Sequence, residues 1–395
     1  LSSTKNESLI GNFNYPSAYR IGAGRVRELA ECCELLEISR PLIVTDPGII
    51  SLDWFAPIQP ALEAAGISAH VFSEIDANPS VVHIDAGLLA ATAHKADGLI
   101  LIGGGSALDA GKCIALLAHN PGTVLDYEDI GDRWKQADGA KILKTIAIPT
   151  TAGTGSEVGR AAVIVDPSDH NKKIIFHPKM QPDLVLADPE LTVGLPPRLT
   201  AATGMDALAH CFEAYCAPGY HPMADGIALE GLRLVHENLV RAYQDGTDLS
   251  ARTHLLMAAS MGATAFQKGL GLIHALSHPV GGLTGLHHGT ANSIFQPYVM
   301  IHNRAVIEDR MPRLAKHLGL TGGDGGFDTV LEWILALRSQ LELPHTLEGI
   351  IDEELTSTIV PMAAADPSLA TNPKPCTYEE IERVLLKSLH GDLSA

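Results

Sequence analysis

The sequence predicts an N-terminal α/β domain built on a parallel sheet, residues 1–190, followed by an all-α C-terminal domain, residues 191–395. Three observations predict it. Short, wholly apolar runs alternate with helix-length segments in the first half. Strand signals fade beyond Pro196-Pro197. The second half is a series of long Ala/Leu-rich stretches. Strands that are apolar at every position must be covered on both faces, which is the condition of a parallel sheet wrapped by helices.

The elements follow in order. Pro41-Leu42-Ile43-Val44-Thr45-Asp46 is a short apolar run ending in a turn. Residues 80–95 read as a helix, 98–102 as a buried strand running into Gly103-Gly104-Gly105, and 106–118 as a second helix. Further strands are expected at 143–148, 161–165 and 183–187. Beyond the prolines, helices are expected at 198–217, 222–246, 249–268, 289–318 and 325–342. Thr371 to Pro375 holds two prolines and reads as a surface loop before a last helix at 378–389.

Composition narrows the partners. Hydrophobic residues make up 46% and charged residues 19% of the 395, the balance of a globular protein. Forty-six acidic residues face 28 basic ones, a net charge of -18. That sign repels phosphate backbones and anionic lipid, which argues against nucleic acid or a membrane as partner. No run approaches the roughly 20 apolar residues of a membrane span. Leu1 to Asn12 is polar and lacks a signal-peptide pattern, so the cytoplasm is the expected location. The six cysteines form no CxxC pair and read as reduced, mostly buried residues.

Two loops and one cluster carry candidate chemistry. A strand, then Gly103-Gly104-Gly105-Ser106, then a helix is an arrangement in which backbone N–H groups can meet a phosphate, although a glycine turn also serves purely structural ends. Pro149-Thr150-Thr151-Ala152-Gly153-Thr154-Gly155-Ser156-Glu157 follows a buried strand with small hydroxyl residues suited to wrapping a ligand at a sheet's carboxyl edge. Asp46 closes the early strand, where a carboxylate accepts hydrogen bonds from a ribose diol or simply shapes an Asp-Pro-Gly turn. Asp206 and His210 are four apart on one helix face, and His274, His278, His287 and His288 crowd a short span rich in glycine. Glycines and histidines in a helical segment cost stability, so something other than packing is expected to maintain them. One Asp with three His suits Fe(II) or Zn(II) and is poor for Mg(II) or Ca(II). The same residues also fit a group of core histidines with satisfied hydrogen bonds, and spacing alone does not choose.

The motifs around these residues do choose. Gly204-Met205-Asp206-Ala207-Leu208-Ala209-His210, followed by Glu213 and Tyr215, resembles the first metal motif of the iron-containing alcohol dehydrogenases. Gly269-Leu270-Gly271-Leu272-Ile273-His274-Ala275-Leu276-Ser277-His278-Pro279 resembles the second, and His288-Gly289-Thr290-Ala291-Asn292 its end. The glycine turn, the Pro149–Glu157 loop and the Thr371–Pro375 loop match in the same order, so the resemblance covers nearly the whole chain. It implies a Rossmann-like nucleotide-binding domain followed by a helical metal-binding domain, the dehydroquinate synthase-like architecture. It implies Asp206, His210, His274 and His288 as ligands of Fe(II), with Zn(II) also fitting, and His278 as a candidate proton relay. Asp46, Asn78, Gly104, Gly105, Ser106, Thr150, Thr151, Thr154 and Lys172 are the implied NAD contacts, with Lys173 beside the last.

The implied activity is NAD-dependent oxidation of a small alcohol, or reduction of an aldehyde, with the proton leaving through the cofactor ribose, water or His278. A homodimer or higher homo-oligomer is expected. Two departures stand out. His287 replaces the family's usual proline before the last ligand. Arg160 follows the second loop, where it either binds an anionic substrate such as an ω-hydroxy acid or is a surface arginine. The rivals are a zinc-dependent glycerol-type dehydrogenase or a dehydroquinate synthase-like enzyme of the same fold, and a non-catalytic NAD or metal sensor. The fourth ligand, His210, speaks against the first two.

Overall fold

Strands without a polar face need helices on both sides, and the computed structural model supplies them. It describes residues 11–13, 17–168 and 172–394; residues 1–10 of the polar N-terminal stretch lie outside the described residues. The chain divides into two units, Leu1–Thr151 with Ser156–Gly194, and Ala152–Gly155 with Leu195–Ala395.

Among the described residues the first unit holds nine strands: β1 (Gly11–Phe13), β2 (Ala18–Ile21), β3 (Pro41–Val44), β4 (His70–Phe72), β5 (Gly98–Gly103), β6 (Lys144–Pro149), β7 (Ala161–Val165), β8 (Lys172–Phe176) and β9 (Leu184–Ala187). Seven form one sheet in the order β1-β2-β9-β6-β5-β3-β4, parallel throughout except for the β1–β2 pair. Its helices are α1 (Leu29–Leu35), α2 (Ile58–Ala64), α3 (Val81–His94) and α4 (Gly105–Leu117). Alternate residues serve opposite faces. Leu42, Val44, Leu99 and Leu101 pack with Ile84, Leu108 and Ile114 of α3 and α4. Ile43, Ile100, Ile102 and Ile146 pack with Leu29, Cys32, Ile58 and Leu62 of α1 and α2. The expected strand at 161–165 forms but does not join this sheet. As β7 it pairs antiparallel with β8. Only Ala162 and Ile164 of β7 are buried, so it has one apolar face and suits a ribbon rather than a sandwiched strand.

Asp97, just before β5, ties the starts of β3 and β5 together. It accepts hydrogen bonds from the Ser39 hydroxyl (2.5 Å) and from the backbone N–H groups of Ser39 (3.1 Å) and Arg40 (2.7 Å). Burial opposes its charge, but these bonds outweigh burial and hold the carboxyl below the usual range. A depressed folded pKa contributes stability that is present above the unfolded value of about 3.9 and lost as pH falls through the folded value. Asp97→Asn is therefore expected to lower the urea midpoint at neutral pH, with the gap to wild type closing in acid. A gap that stays constant with pH would show that the charge contributes nothing.

The second unit is helical: α5 (Pro197–Cys216), α6 (Pro222–Gln244), α7 (Leu249–Ala265), α8 (Leu272–Thr284), α9 (His288–Ile307), α10 (Met311–Leu318), α11 (Phe327–Gln340), α12 (Thr356–Ala365) and α13 (Tyr378–His390). Every residue of α5 from Thr200 to Cys216 is buried. Leu208, Cys211 and Phe212 pack in one core with α6, α7, α10 and α11, while Ala209 packs in another with α8, α9, α12 and α13. No helix of the described residues is long and apolar enough to cross a membrane.

Three sequence expectations change. The single helix at 289–318 is two, α9 and α10, separated by a 3-10 turn at Glu308–Arg310. Pro312 causes the break, because its ring cannot follow the carbonyl four residues back and it sits instead in the first turn of α10. Helix α7 stops at Ala265, three residues short, where a 3-10 turn leads into Gly269. The Thr371–Pro375 segment is not simply a surface loop. Asn372 is 6% exposed, and its amide is spent on Leu272, Asn303 and Lys374. Helix α9 survives its internal Pro297 because the buried Arg338 donates from Nη1 to the carbonyls of Ser293 (3.4 Å) and Ile294 (3.3 Å), the former being the one the proline leaves without its helical donor.

Candidate active site

Sheet register decides which loops meet in the first unit. Val44 is level with Leu101, and Gly103 with Pro149. Asp46 lies two residues past Val44 and so arrives beside Gly103, its Oδ2 3.5 Å from where a Cβ on that glycine would stand. Oδ1 is already committed to the N–H groups of Gly48 (2.8 Å) and Ile49 (3.0 Å), as in a turn aspartate. Thr150 N–H donates to the Gly103 carbonyl at 3.0 Å, and Thr151 Oγ1 lies 3.3 Å from the Cβ position of Gly104. Ser106 Oγ donates to Ala77 O at 2.6 Å, fixing the loop that carries the exposed Asn78. Val165 N–H donates to Pro79 O (2.8 Å), and Lys172 is Val165's partner across the ribbon, so Lys172 opens β8 beside the same loop. Thr154 is half-buried and belongs to the helical unit.

The chain leaves β3 for β4 on one side of that strand and returns as β5 on its other side. The carboxyl ends of β3 and β5 flank this switch, where parallel sheets hold ligands. Helix α4 starts there, after Gly105's neighbour Gly104, without a side-chain cap, which is the condition in which first-turn N–H groups meet a phosphate. One feature of the turn was not foreseen. The buried Lys112 pairs with Asp109 (3.0 Å) and donates to the carbonyls of Ser156 (3.1 Å) and Ala161, while Asp109 accepts from the Ser156 hydroxyl and from Val163 N–H (2.9 Å). One turn of α4 thus fixes the residues that follow the threonine loop. Arg160 is exposed in that stretch.

In the helical unit, Asp206 and His210 project from the interior of α5, His274 and His278 from α8, and His288 is the first residue of α9. Ligand atoms of Asp206, His210 and His274 all lie within 4.8 Å of one another, and all three residues are buried. Asp206 Oδ1 is the common point, 3.6 Å from His210 Nε2, 3.7 Å from His274 Nε2 and 3.4 Å from His288 Nε2. These spacings exceed good hydrogen bonds. They match donors sharing one ion: two ligands ~2.1 Å from a tetrahedral centre stand about 3.4 Å apart. Three imidazole nitrogens and a carboxylate oxygen therefore fit a borderline divalent ion.

The charges reflect the crowding. Burial pushes His210 down to about 4 against the attraction of Asp206. Burial also works against His274, but Glu213 and Asp206 outweigh it and push that ring up to about 9. Asp206 is fully buried, yet His210, His288 and His274 hold it well below the usual carboxylate range.

His278 stands apart from the converging atoms. Its ring stacks on His288 with centroids 5.2 Å apart, and its Nδ1 donates to Asp366 Oδ2 at 2.7 Å. Burial raises Asp366, but the bond from His278 outweighs it and lowers the carboxyl. His287 is exposed at the N-cap of α9. Sequence reasoning gave no role to Asp366, Glu213 or Asn292. The Asn292 amide donates to Asp206 Oδ1 at 2.8 Å, and it lies four residues past His288, a spacing that could have flagged it.

The glycines around the histidines also have a packing reason, contrary to the sequence expectation. A Cβ on Gly289 would stand 1.9 Å from Ala202 O, so the glycine lets α9 lie directly on α5.

Residues 16–189 match the family described as iron-containing alcohol dehydrogenase, and residues 200–389 match its C-terminal family. The chain belongs to the iron-containing alcohol dehydrogenase family. It is 39% identical to a 4-hydroxybutyrate dehydrogenase of Cupriavidus necator, over 95% of this chain and 99% of that one. Among solved structures, a 1,3-propanediol oxidoreductase superposes with a TM-score of 0.88 at 29% identity, covering 97% of this chain and 99% of the other. A sulfoacetaldehyde reductase from Bifidobacterium kashiwanohense, solved in complex with NAD+, superposes at 0.86 with 27% identity, over 95% and 98% of the two chains. The dehydrogenase has the fold of these enzymes. It is an NAD-dependent oxidoreductase of the iron-containing type, and its family implies a divalent metal and a small-molecule substrate.

Proposed function

We propose that Asp206, His210, His274 and His288 hold Fe(II), and that the dehydrogenase interconverts an ω-hydroxy acid of the 4-hydroxybutyrate kind with its semialdehyde. The convergence of three imidazole Nε2 atoms on Asp206 Oδ1 carries the metal reading. The substrate reading is supported by the relative acting on 4-hydroxybutyrate and by an exposed guanidinium at Arg160, which can pair with a carboxylate.

When bound, the divalent ion lowers the pKa of an alcohol and polarises an aldehyde, and nicotinamide exchanges hydride with the carbinol carbon. The chain's own residues do the rest. The Gly104–Ser106 turn, Thr150, Thr151 and Thr154 would bind the cofactor diphosphate region, with Lys172 and Asn78 at its margin. Asp46 Oδ2 faces the turn as an acceptor suited to a ribose diol and repelling a 2′-phosphate. His278 has Nδ1 committed to Asp366, which leaves Nε2 as its proton-exchanging atom.

A substrate screen with NADH after reconstitution with Fe(II), run beside Zn(II), tests the proposal. Semialdehydes bearing a carboxylate are expected to give the highest kcat/KM. Arg160→Ala is expected to raise KM for anionic aldehydes about tenfold, the loss of one charge-assisted contact, with neutral aldehydes unchanged. An equal loss on both classes would remove the anion assignment.

A further inference from the structure

Helix α8 carries two of the candidate site histidines, and its N-terminus is built in an unusual way. No residue of its own flank caps it with a side chain. Two distant side chains do so instead. Glu213 of α5 accepts from Ile273 N–H through Oε1 at 2.8 Å, and Asn372 accepts from Leu272 N–H through Oδ1 at 3.1 Å. Gly271 makes room for both, since a Cβ there would stand 2.7 Å from Asn372 Oδ1 and 3.0 Å from Glu213 Oε1. The second oxygen of Glu213 accepts from His274 Nδ1 at 2.5 Å. Glu213 is 5% exposed and His274 1%, so no water competes for these bonds.

We propose that Glu213 is a positioning residue of the metal centre, which sets the tautomer and ring angle of His274 while anchoring the helix that carries it. The inference rests on the ligand assignment above. An imidazole that donates from Nδ1 presents Nε2 as the lone-pair atom, and Nε2 is the atom facing Asp206. A carboxylate is the only side chain of this length that accepts at both ends. A glutamine could give its oxygen to Ile273 N–H, but its NH2 would then confront His274 Nδ1–H and turn the ring's proton onto Nε2, the ligand atom. Reversed, it would set its NH2 against Ile273 N–H. Glu213 also continues the Asp206 and His210 face of α5, so one helix supplies two ligands and the group that orients a third. Oriented carboxylate–histidine pairs of this kind are typically worth about 10–100-fold in metal affinity.

The test uses the full-length protein and Co(II) or Zn(II) alone, without turnover. Wild type is expected to bind one Co(II) per chain with a ligand-field spectrum, and Glu213→Gln to bind it about 10–100-fold more weakly in chelator competition. Asn372→Ala removes the other cap of the same helix. It is expected to lower the melting temperature while keeping Co(II) affinity within about twofold of wild type. Equal metal loss in both variants, or wild-type affinity and spectrum in Glu213→Gln, would overturn the proposal and leave Glu213 as a helix cap. Absence of stoichiometric Co(II) binding by wild type would overturn the ligand assignment itself. Should Glu213→Gln fail to fold, histidine side-chain NMR of Zn(II)-loaded wild type decides. A strongly hydrogen-bonded proton on His274 Nδ1 is the expected signal, and a bare Nδ1 refutes the proposal.

Discussion

Asp206→Asn will leave a folded protein that retains no divalent metal through dialysis and consumes NADH with simple aldehydes only at background. Asp206 Oδ1 is where three imidazole nitrogens converge, so it is the one atom that all the other proposed ligands face. Asparagine keeps the volume and keeps an oxygen to accept from Asn292, which preserves packing around a residue that is 3% exposed. It removes the only negative charge of the ligand set, and a neutral amide oxygen is a poor donor to a borderline cation. The loss is expected to exceed the ~10–100-fold typical of supporting residues. Metal content per chain and far-UV circular dichroism check the two halves of the expectation. A variant with full metal and full turnover would show that these residues do not form the centre.

Gly289→Ala is expected to damage both stability and metal binding, although it adds a single methyl group. The new Cβ would stand 1.9 Å from Ala202 O, 2.6 Å from Ala202 C and 3.2 Å from Asp206 Cβ. Two of these atoms are backbone of a helix buried on all sides, so they cannot turn away, and α9 must lift from α5. Overpacking of this type costs about 1–3 kcal/mol. Because His288 is the neighbouring residue, its separation from Asp206 widens as well, and displacements near 1 Å in catalytic groups cost about a hundredfold in rate. Urea unfolding of the metal-free protein and Co(II) titration measure the two effects separately. Wild-type values in both would mean that the helices are not in contact at this point.

The parts of the fold that were legible share one property: their signal is local. The apolar strands β3, β5, β6 and β9 and the long helices of the second unit announce themselves by composition. So does the cluster of Asp206, His210, His274 and His288, once ordered motifs surround it. What escaped depends on partners far along the chain. Glu213 looks like any helical glutamate until Ile273 and His274 arrive 60 residues later. Asp366 needs His278, and Asn372 needs Leu272 and Asn303, so the Thr371–Pro375 loop reads as surface although its amide is buried. Strand β7 forms where expected, but that it pairs with β8 in a separate ribbon was not legible, because five apolar residues do not reveal that alternate ones face out. Gly289 was credited to something other than packing because the helix it touches lies about 80 residues upstream, a separation at which pattern reading has no purchase.

The segment Ala152–Gly155 belongs with the helices although the strands on either side of it belong to the sheet. Gly153 lies against Thr203, and Gly155, at φ 62°, lies against Ala259 and Ala263 of α7. Thr203 is synthesised roughly 50 residues after Gly153, and Ala259 and Ala263 roughly a hundred after Gly155, which at ~5–20 residues per second is a wait on the order of 3–20 s. For that interval the nascent sheet carries a threonine loop whose middle has nothing to rest on. The half of the molecule that is synthesised first therefore waits on part of the second, and a chain truncated after residue 194 stays permanently at that unfinished stage.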